Sequence, residues 1–185
     1  MPHPRILDSS QSALVVVDMQ EAFRSVIGDF ALIASRIPIA IRGFMALGVP
    51  VIVTEQYPRG LGKTAEEIAL TLPTDFEIIE KTSFSCCGES SFNERLSKAG
   101  VKQVVICGIE THVCVNQTTH DLLDQGYQVH VLTDCVGSRF EHDKKAGLKK
   151  MITSGAVPSS IEMALFEMMQ DSKNERFREV QALVK

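Results

Sequence analysis

The stretch Gln103-Val104-Val105-Ile106-Cys107, followed directly by Gly108-Ile109-Glu110-Thr111-His112-Val113-Cys114-Val115, decides how this chain folds. Its first five residues form a short β-branched run of the kind found in an interior parallel strand, apolar on both faces. Residues 113–125 then carry a helical pattern that Gly126 closes. A buried strand gives way to a helix within a few residues, and Cys114 falls in the first helical turn, with Thr111 as the expected N-cap. Free backbone N–H groups and the positive end of a helix favour a thiolate. The sequence therefore predicts a lowered thiol pKa and a nucleophilic cysteine.

The same alternation extends outward through the chain. Short apolar runs recur at 13–17, 51–54, 77–80, 103–107, 128–132 and 157–161, and helical patterns fill 30–47, 89–99, 113–125, 144–154, 162–169 and 174–183. Several of the latter stop at a glycine, namely Gly48, Gly100, Gly126 and Gly155. Strand alternating with helix implies right-handed crossovers, and the fold class read from it is α/β: a three-layer doubly wound sandwich with a mostly parallel six-stranded sheet. Pro38 lies inside the first helical pattern and is expected to kink or split it. Residues 57–63, with Pro58, Gly60 and Gly62, read as a turn-rich loop forming part of a pocket wall.

Composition narrows the function classes. With 185 residues and 44% hydrophobic content, the chain suits one domain spanning 1–185. A formal charge of −4 provides no basic field for a phosphate backbone, so nucleic acid is not expected as a partner. The start, Met-Pro-His-Pro-Arg, is polar, and the apolar run at 13–17 is too short for a signal-peptide core or a membrane span. Five cysteines, an odd number without regular spacing, fit a reducing compartment, and a cytoplasmic location is expected.

In doubly wound folds the ligand crevice lies at the carboxyl ends of the strands, which directs attention to polar residues just past each run. These are Asp18, the Glu55-Gln56-Tyr57 group, Lys81, the 108–114 loop, Asp134 and Glu162. Asp18, Lys81 and Cys114 together form a chemically sensible set. A thiolate attacks, a carboxylate takes and returns the proton, and a cation orients the carboxylate. Asp134 reads as a helix or turn cap. Glu162 has two readings, a crevice residue or a cap of the helix that starts there. Cys107 reads as core, Cys86 and Cys87, close after Phe84, as pocket-lining or oxidant-responsive residues or, more commonly for such a pair, as an incidental pair in a polar loop, and His112 as a surface histidine of the first turn, not the partner of Cys114. The apolar faces holding Leu122, Leu123, Met163, Leu165, Phe166, Met168 and Met169 are rich enough to cover both the sheet and a neighbouring subunit.

The chain resembles the isochorismatase-like cysteine hydrolases, the superfamily that includes nicotinamidases and N-carbamoylsarcosine amidases. The likeness spans nearly the whole length. It rests on Asp18-Met19-Gln20 with Phe23, Glu80-Lys81-Thr82 with Phe84, and residues 108–115, in the family's order and approximate spacing. A subgroup of isochorismatase-domain hydrolases is suggested by Thr54-Glu55-Gln56-Tyr57-Pro58 and Ser160-Ile161-Glu162-Met163-Ala164. The resemblance implies Cys114 as nucleophile, Asp18 as general acid and base, Lys81 as third catalytic group, and a non-proline cis peptide between Ile109 and Glu110. It also implies an oxyanion hole from the N–H groups of Glu110 and Cys114, and a homo-oligomer. The pocket is expected to draw on Gln20, Phe23, Glu55, Gln56, Tyr57, Phe84, Ile109 and Glu162, around a small-molecule substrate.

The departures from the family carry information too. Nicotinamidases typically place Asp-x-His after the second strand to help hold a metal, whereas this chain has Glu55-Gln56-Tyr57 there and no histidine between His3 and His112. No metal, no other cofactor and no nicotinamide specificity are expected. The cysteine favours acyl transfer over the vinyl-ether protonation of true isochorismatases. Glu110 is unusual beside the small residue of many relatives, and its side chain either narrows the pocket or faces solvent. The leading reading is a metal-independent cysteine hydrolase of a small amide or related acyl compound, acting through a thioester. Its alternatives are a catalytically idle scaffold of the same fold and, less favoured on charge, a ribonuclease, a label some relatives bear.

Overall fold

A computed structural model of the chain describes residue 3 and residues 5–185. Met1, Pro2 and Pro4, part of the polar start read above, lie outside the described residues. Strand β1 (Ser12–Val17) is buried along its whole length between β2 (Val51–Gln56) and β4 (Gln103–Ile109), with Leu14 opposite Val51 and Val17 opposite Gly108. Strand β3 (Ile79–Lys81) flanks β2, β5 (Gln128–Gly137) flanks β4, and β6 (Val157–Ser159) follows β5, giving the order β3-β2-β1-β4-β5-β6 with every pairing parallel. The chain builds outward from β1 to β3 and then crosses to β4 on the other side. The topological switch point, where such sheets open a crevice, therefore lies between β1 and β4.

The helices in chain order are α1 (Phe30–Ala46), α2 (Pro58–Leu61), α3 (Glu66–Ala69), α4 (Ser90–Ala99), α5 (Asn116–Asp124), α6 (Glu141–Thr153), α7 (Ile161–Met169) and α8 (Phe177–Val184). The two-residue period of β1 sorts them into layers. Leu14 and Val16 point into a core with Ile37, Ile41 and Phe44 of α1 and Leu165 of α7. Ala13, Val15 and Val17 point into a second core with Phe92 and Leu96 of α4, Leu122 of α5 and Met151 of α6. Each large side chain buried in these layers contributes about 1.5–3 kcal/mol. Among the described residues, no helix is long and apolar enough to cross a membrane.

Several local expectations are corrected. Helix α1 is not split at Pro38, because one missing N–H donor is outweighed by the buried stripe of Ile33, Ile37, Ile41 and Phe44. The 57–63 segment contains α2, entered through Tyr57 at φ 38°, and is not an irregular loop. Strand β5 extends to Gly137 instead of ending near residue 132. Its pairing with β4 slips, Val131 facing Ile106 but Val136 facing Gly108, so Asp134 lies within the strand's irregular part. Polar Thr133 and Asp134 had imitated a strand end.

Gly108 has φ 110°, and a Cβ there would stand 2.1 Å from the Val17 carbonyl oxygen. Only a glycine lets β4 approach β1 this closely at the switch point. Gly108→Ala is expected to lower Tm by more than about 8 °C or to prevent folding. Gly155→Ala, at φ 111° but in open space, is expected to cost about 1 kcal/mol. Thermal unfolding followed by circular dichroism compares the two, and equal losses would contradict the close-approach account.

Candidate active site

Asp18 directly follows β1 in the left-handed region, φ 51°, and is 1% exposed. An aspartate tolerates this conformation better than most residues, yet it still costs about 1–3 kcal/mol, so its surroundings must hold it. They do so at both carboxylate oxygens. Oδ2 accepts from Lys81 Nζ at 2.7 Å and Oδ1 accepts from the Thr54 hydroxyl at 2.7 Å. Lys81, the last residue of β3, has its side chain fully buried. Its ammonium also donates to Gln56 Oε1 at 2.7 Å and to the carbonyls of Ser83 and Phe84, both at 3.1 Å. Three N–H donors thus share four acceptors, and the cation is fully engaged.

Cys114 lies across the switch point from Asp18, 7% exposed, in a π turn (Thr111–Val115) that precedes α5. Its thiol feels the charges of the Asp18 carboxylate and the Lys81 ammonium. Here the expected lowering of the thiol pKa is reversed. Burial first, then the Asp18 charge, push the thiol well above its ordinary range, and Lys81 offsets only part of this. The resting pair is a protonated thiol beside a carboxylate that is ion-paired to an ammonium, the groups that acyl transfer uses.

The turn is anchored from α6 and the segment before it. The Ile109–Glu110 peptide is cis. The Glu110 carboxylate does not face solvent: Oε1 accepts from the backbone N–H of Arg139 at 3.1 Å and from its Nε at 3.0 Å. Thr111 does not act as an N-cap; its hydroxyl donates to the Gly137 carbonyl at 2.9 Å. His112 is not free on the surface, since Nδ1 stands 3.0 Å from the Ser138 hydroxyl and Nε2 stands 3.9 Å from Asp143. A Cβ on Gly147 of α6 would come within 3.0 Å of the His112 Cα and the Thr111 carbonyl oxygen.

The remaining expected pocket residues separate. Gln20 is fully buried and clamps the start of the α2 segment, donating to the Gln56 and Gly62 carbonyls and accepting from Gln56 N–H. Gln56 meets Lys81 directly. Glu55 is a buried tie, accepting from the N–H and hydroxyl of Thr64. Phe84 is exposed, and only its carbonyl reaches Lys81. Tyr57 is also exposed, on a cavity of about 320 Å³ that Arg59, Lys81, Thr82 and Glu89 help to line and that neither Asp18 nor Cys114 lines. Phe23 and Ile109 pack into the α1-side core. Glu162 is exposed and lines a separate cavity with Arg36, Ile39 and the C-terminal residues. Asp134 is a cap, as read, accepting from the Ile161 N–H at the start of α7, and it pairs with Arg36.

Three residues beside the cluster escaped the sequence reading. Thr54 breaks the apolar run of β2 with a hydroxyl that must find a partner once buried, a signal that was legible. Arg139 had no comparable signal, because its neighbours come from distant parts of the chain, and for Cys86 the place after Phe84 left several readings open. Cys86 is not an incidental loop residue: it lies in the core beneath Thr54, 3.8 Å from its hydroxyl.

Comparison with known proteins follows this geometry. The isochorismatase domain matches residues 12–163. Isochorismatase domain-containing protein 2 of Xenopus laevis is 38% identical over 178 residues, 96% of this chain and 85% of that protein. The structure of MAR1 ribonuclease from Caenorhabditis elegans is similar with a TM-score of 0.92 and 39% identity, over 97% of this chain and 92% of that one. The YcaC gene product of Escherichia coli, an octameric hydrolase of unknown specificity, has a TM-score of 0.90 at 22% identity over 99% of this chain and 90% of that one, a likeness of fold alone.

The raised thiol pKa sets a pH prediction. The thiolate fraction at pH 8 is smaller in the native chain than for an unfolded cysteine, whose pKa is about 8.5. Iodoacetamide at pH 8 is expected to label Cys114 at least about tenfold more slowly in the native chain than in urea, read by peptide mass spectrometry. Equal or faster native labelling would contradict a buried, protonated thiol.

Proposed function

The chain belongs to the isochorismatase-domain family, and we propose from that premise that it is a metal-independent cysteine hydrolase of small amides or related acyl compounds. Family membership supports a hydrolase role in general terms. The finer reading is supported above all by one observation, the Cys114 thiol set against an Asp18 carboxylate that Lys81 holds at 2.7 Å in a buried ion pair.

Because the thiol is protonated at rest, Asp18 takes its proton as the sulfur attacks the acyl carbon. The developing oxyanion is held by the N–H groups of Glu110 and Cys114, each such donor contributing about 3–4 kcal/mol in hydrolases of this kind. Asp18 passes the proton to the departing amine and leaves a thioester on Cys114. It then takes a proton from water, whose hydroxyl attacks the thioester to release the acid, and it returns the proton to the sulfur. The four acceptors of Lys81 hold its ammonium fixed, so it orients Asp18 instead of carrying the proton.

The reading extends to setting. Five free thiols suit a reducing, cytoplasmic environment. Exposed Phe140, Met163 and Phe166 suit self-association, as does the octameric state of the fold relative from E. coli. A ribonuclease activity, named for the C. elegans relative, fits poorly with a net charge of −4.

The test is direct capture. The native chain is incubated with p-nitrophenyl acetate and a panel of small amides, quenched in acid and mapped by mass spectrometry. An acyl adduct is expected on Cys114, formed at least about 100-fold more slowly in Asp18→Asn. Absence of any adduct on Cys114 would overturn the proposal.

A further inference from the structure

We infer that Thr54 is a positioning residue for Asp18, fixing the carboxylate so that its proton-accepting face meets Cys114, with Cys86 fixing the threonine from behind. The inference deepens the cysteine-hydrolase reading and rests on it.

The hydrogen-bond inventory of this corner leaves little freedom. An ionised carboxylate only accepts, so the single hydroxyl proton of Thr54 goes to Asp18 Oδ1 at 2.7 Å. Thr54 Oγ1 keeps its lone pairs, and Cys86 Sγ stands 3.8 Å from it. Cys86 is fully buried and its thiol is pushed up to about 11, mainly by burial, so it carries a proton at neutral pH. The sulfur is thus the donor, and the chain runs Cys86 S–H to Thr54 O–H to Asp18 Oδ1. Its start is itself fixed, because the Cys86 N–H donates to the Thr118 hydroxyl of α5 at 2.9 Å.

The two bonds to Asp18 divide the work. Lys81 restrains Oδ2 from β3 and Thr54 restrains Oδ1 from β2, with both side chains buried. A carboxylate held at one oxygen only still turns about its terminal torsion, which is broad and roughly two-fold. Held at both, its plane is set relative to Cys114. Thr54→Val keeps the shape of the side chain and removes the donor. Thr54→Ser keeps the donor and removes the methyl group.

The experiment uses p-nitrophenyl acetate with the full chain, following p-nitrophenolate release and the acetyl adduct on Cys114. In that step the thiol proton goes to Asp18, the S–C bond forms and the phenolate leaves. Thr54→Val is expected to lower the maximal acylation rate about tenfold, with the half-saturating concentration little changed, and Thr54→Ser to restore most of it. A Thr54→Val rate equal to wild type, or a Thr54→Ser rate as low as Thr54→Val, would overturn the positioning role. Asp18→Asn separates the two levels: if it acylates at the wild-type rate, the cysteine-hydrolase reading falls and takes this inference with it. If it is inactive while Thr54→Val is unaffected, only the inference falls.

Discussion

The buried ion pair between Lys81 and Asp18 is the constraint on which the carboxyl end of the sheet depends. Both side chains are withdrawn from water, 0% and 2% exposed. Desolvating two charges costs several kcal/mol per ion unless the remaining donors and lone pairs are satisfied. The fold answers with Thr54, Gln56 and the carbonyls of Ser83 and Phe84, so the ends of β1, β2 and β3 and the segment after β3 converge on one ammonium and one carboxylate. Asp18 can stay at a positive φ because this network over-determines it.

The same pair sets the chemistry available across the switch point. A thiolate at Cys114 would add a second negative charge next to Asp18 in a poorly solvated place, and the thiol stays protonated instead. The helix-terminus effect anticipated from the sequence acts through partial charges and fades within a turn. A full carboxylate charge and the loss of solvent outweigh it here. On this account, reactivity is withheld until an acyl group occupies the site and the proton moves to Asp18 in the attacking step.

The architecture was legible because each strand overlaps a short apolar run flanked by polar residues, and six such runs became six strands. Asp18, Lys81 and Cys114 were legible for a related reason: polar or reactive side chains directly after buried runs are the ones a doubly wound sheet presents at its crevice. Neighbours in sequence were a poor guide to neighbours in the site. Ile109 follows Gly108 yet points into the α1-side core, and Glu55 precedes Gln56 yet ties down Thr64. Phe23 and Glu162 lie on elements that pack elsewhere. The irregular run of β5 around Asp134 and the Glu110–Arg139 pair depend on contacts between distant segments, which local pattern does not encode.

The central claim is that Lys81 and Asp18 stand as a mutually dependent buried ion pair. A double-mutant cycle in unfolding free energy, using Lys81→Met, Asp18→Asn and the double variant in urea, measures that dependence most directly. Lys81→Met alone is expected to cost about 3–5 kcal/mol because it strands a buried carboxylate. The double variant is expected to be less destabilised than the sum of the two singles, by at least about 1.5 kcal/mol. Additive single effects would contradict the claim and remove the physical basis for Asp18 as the proton acceptor of Cys114.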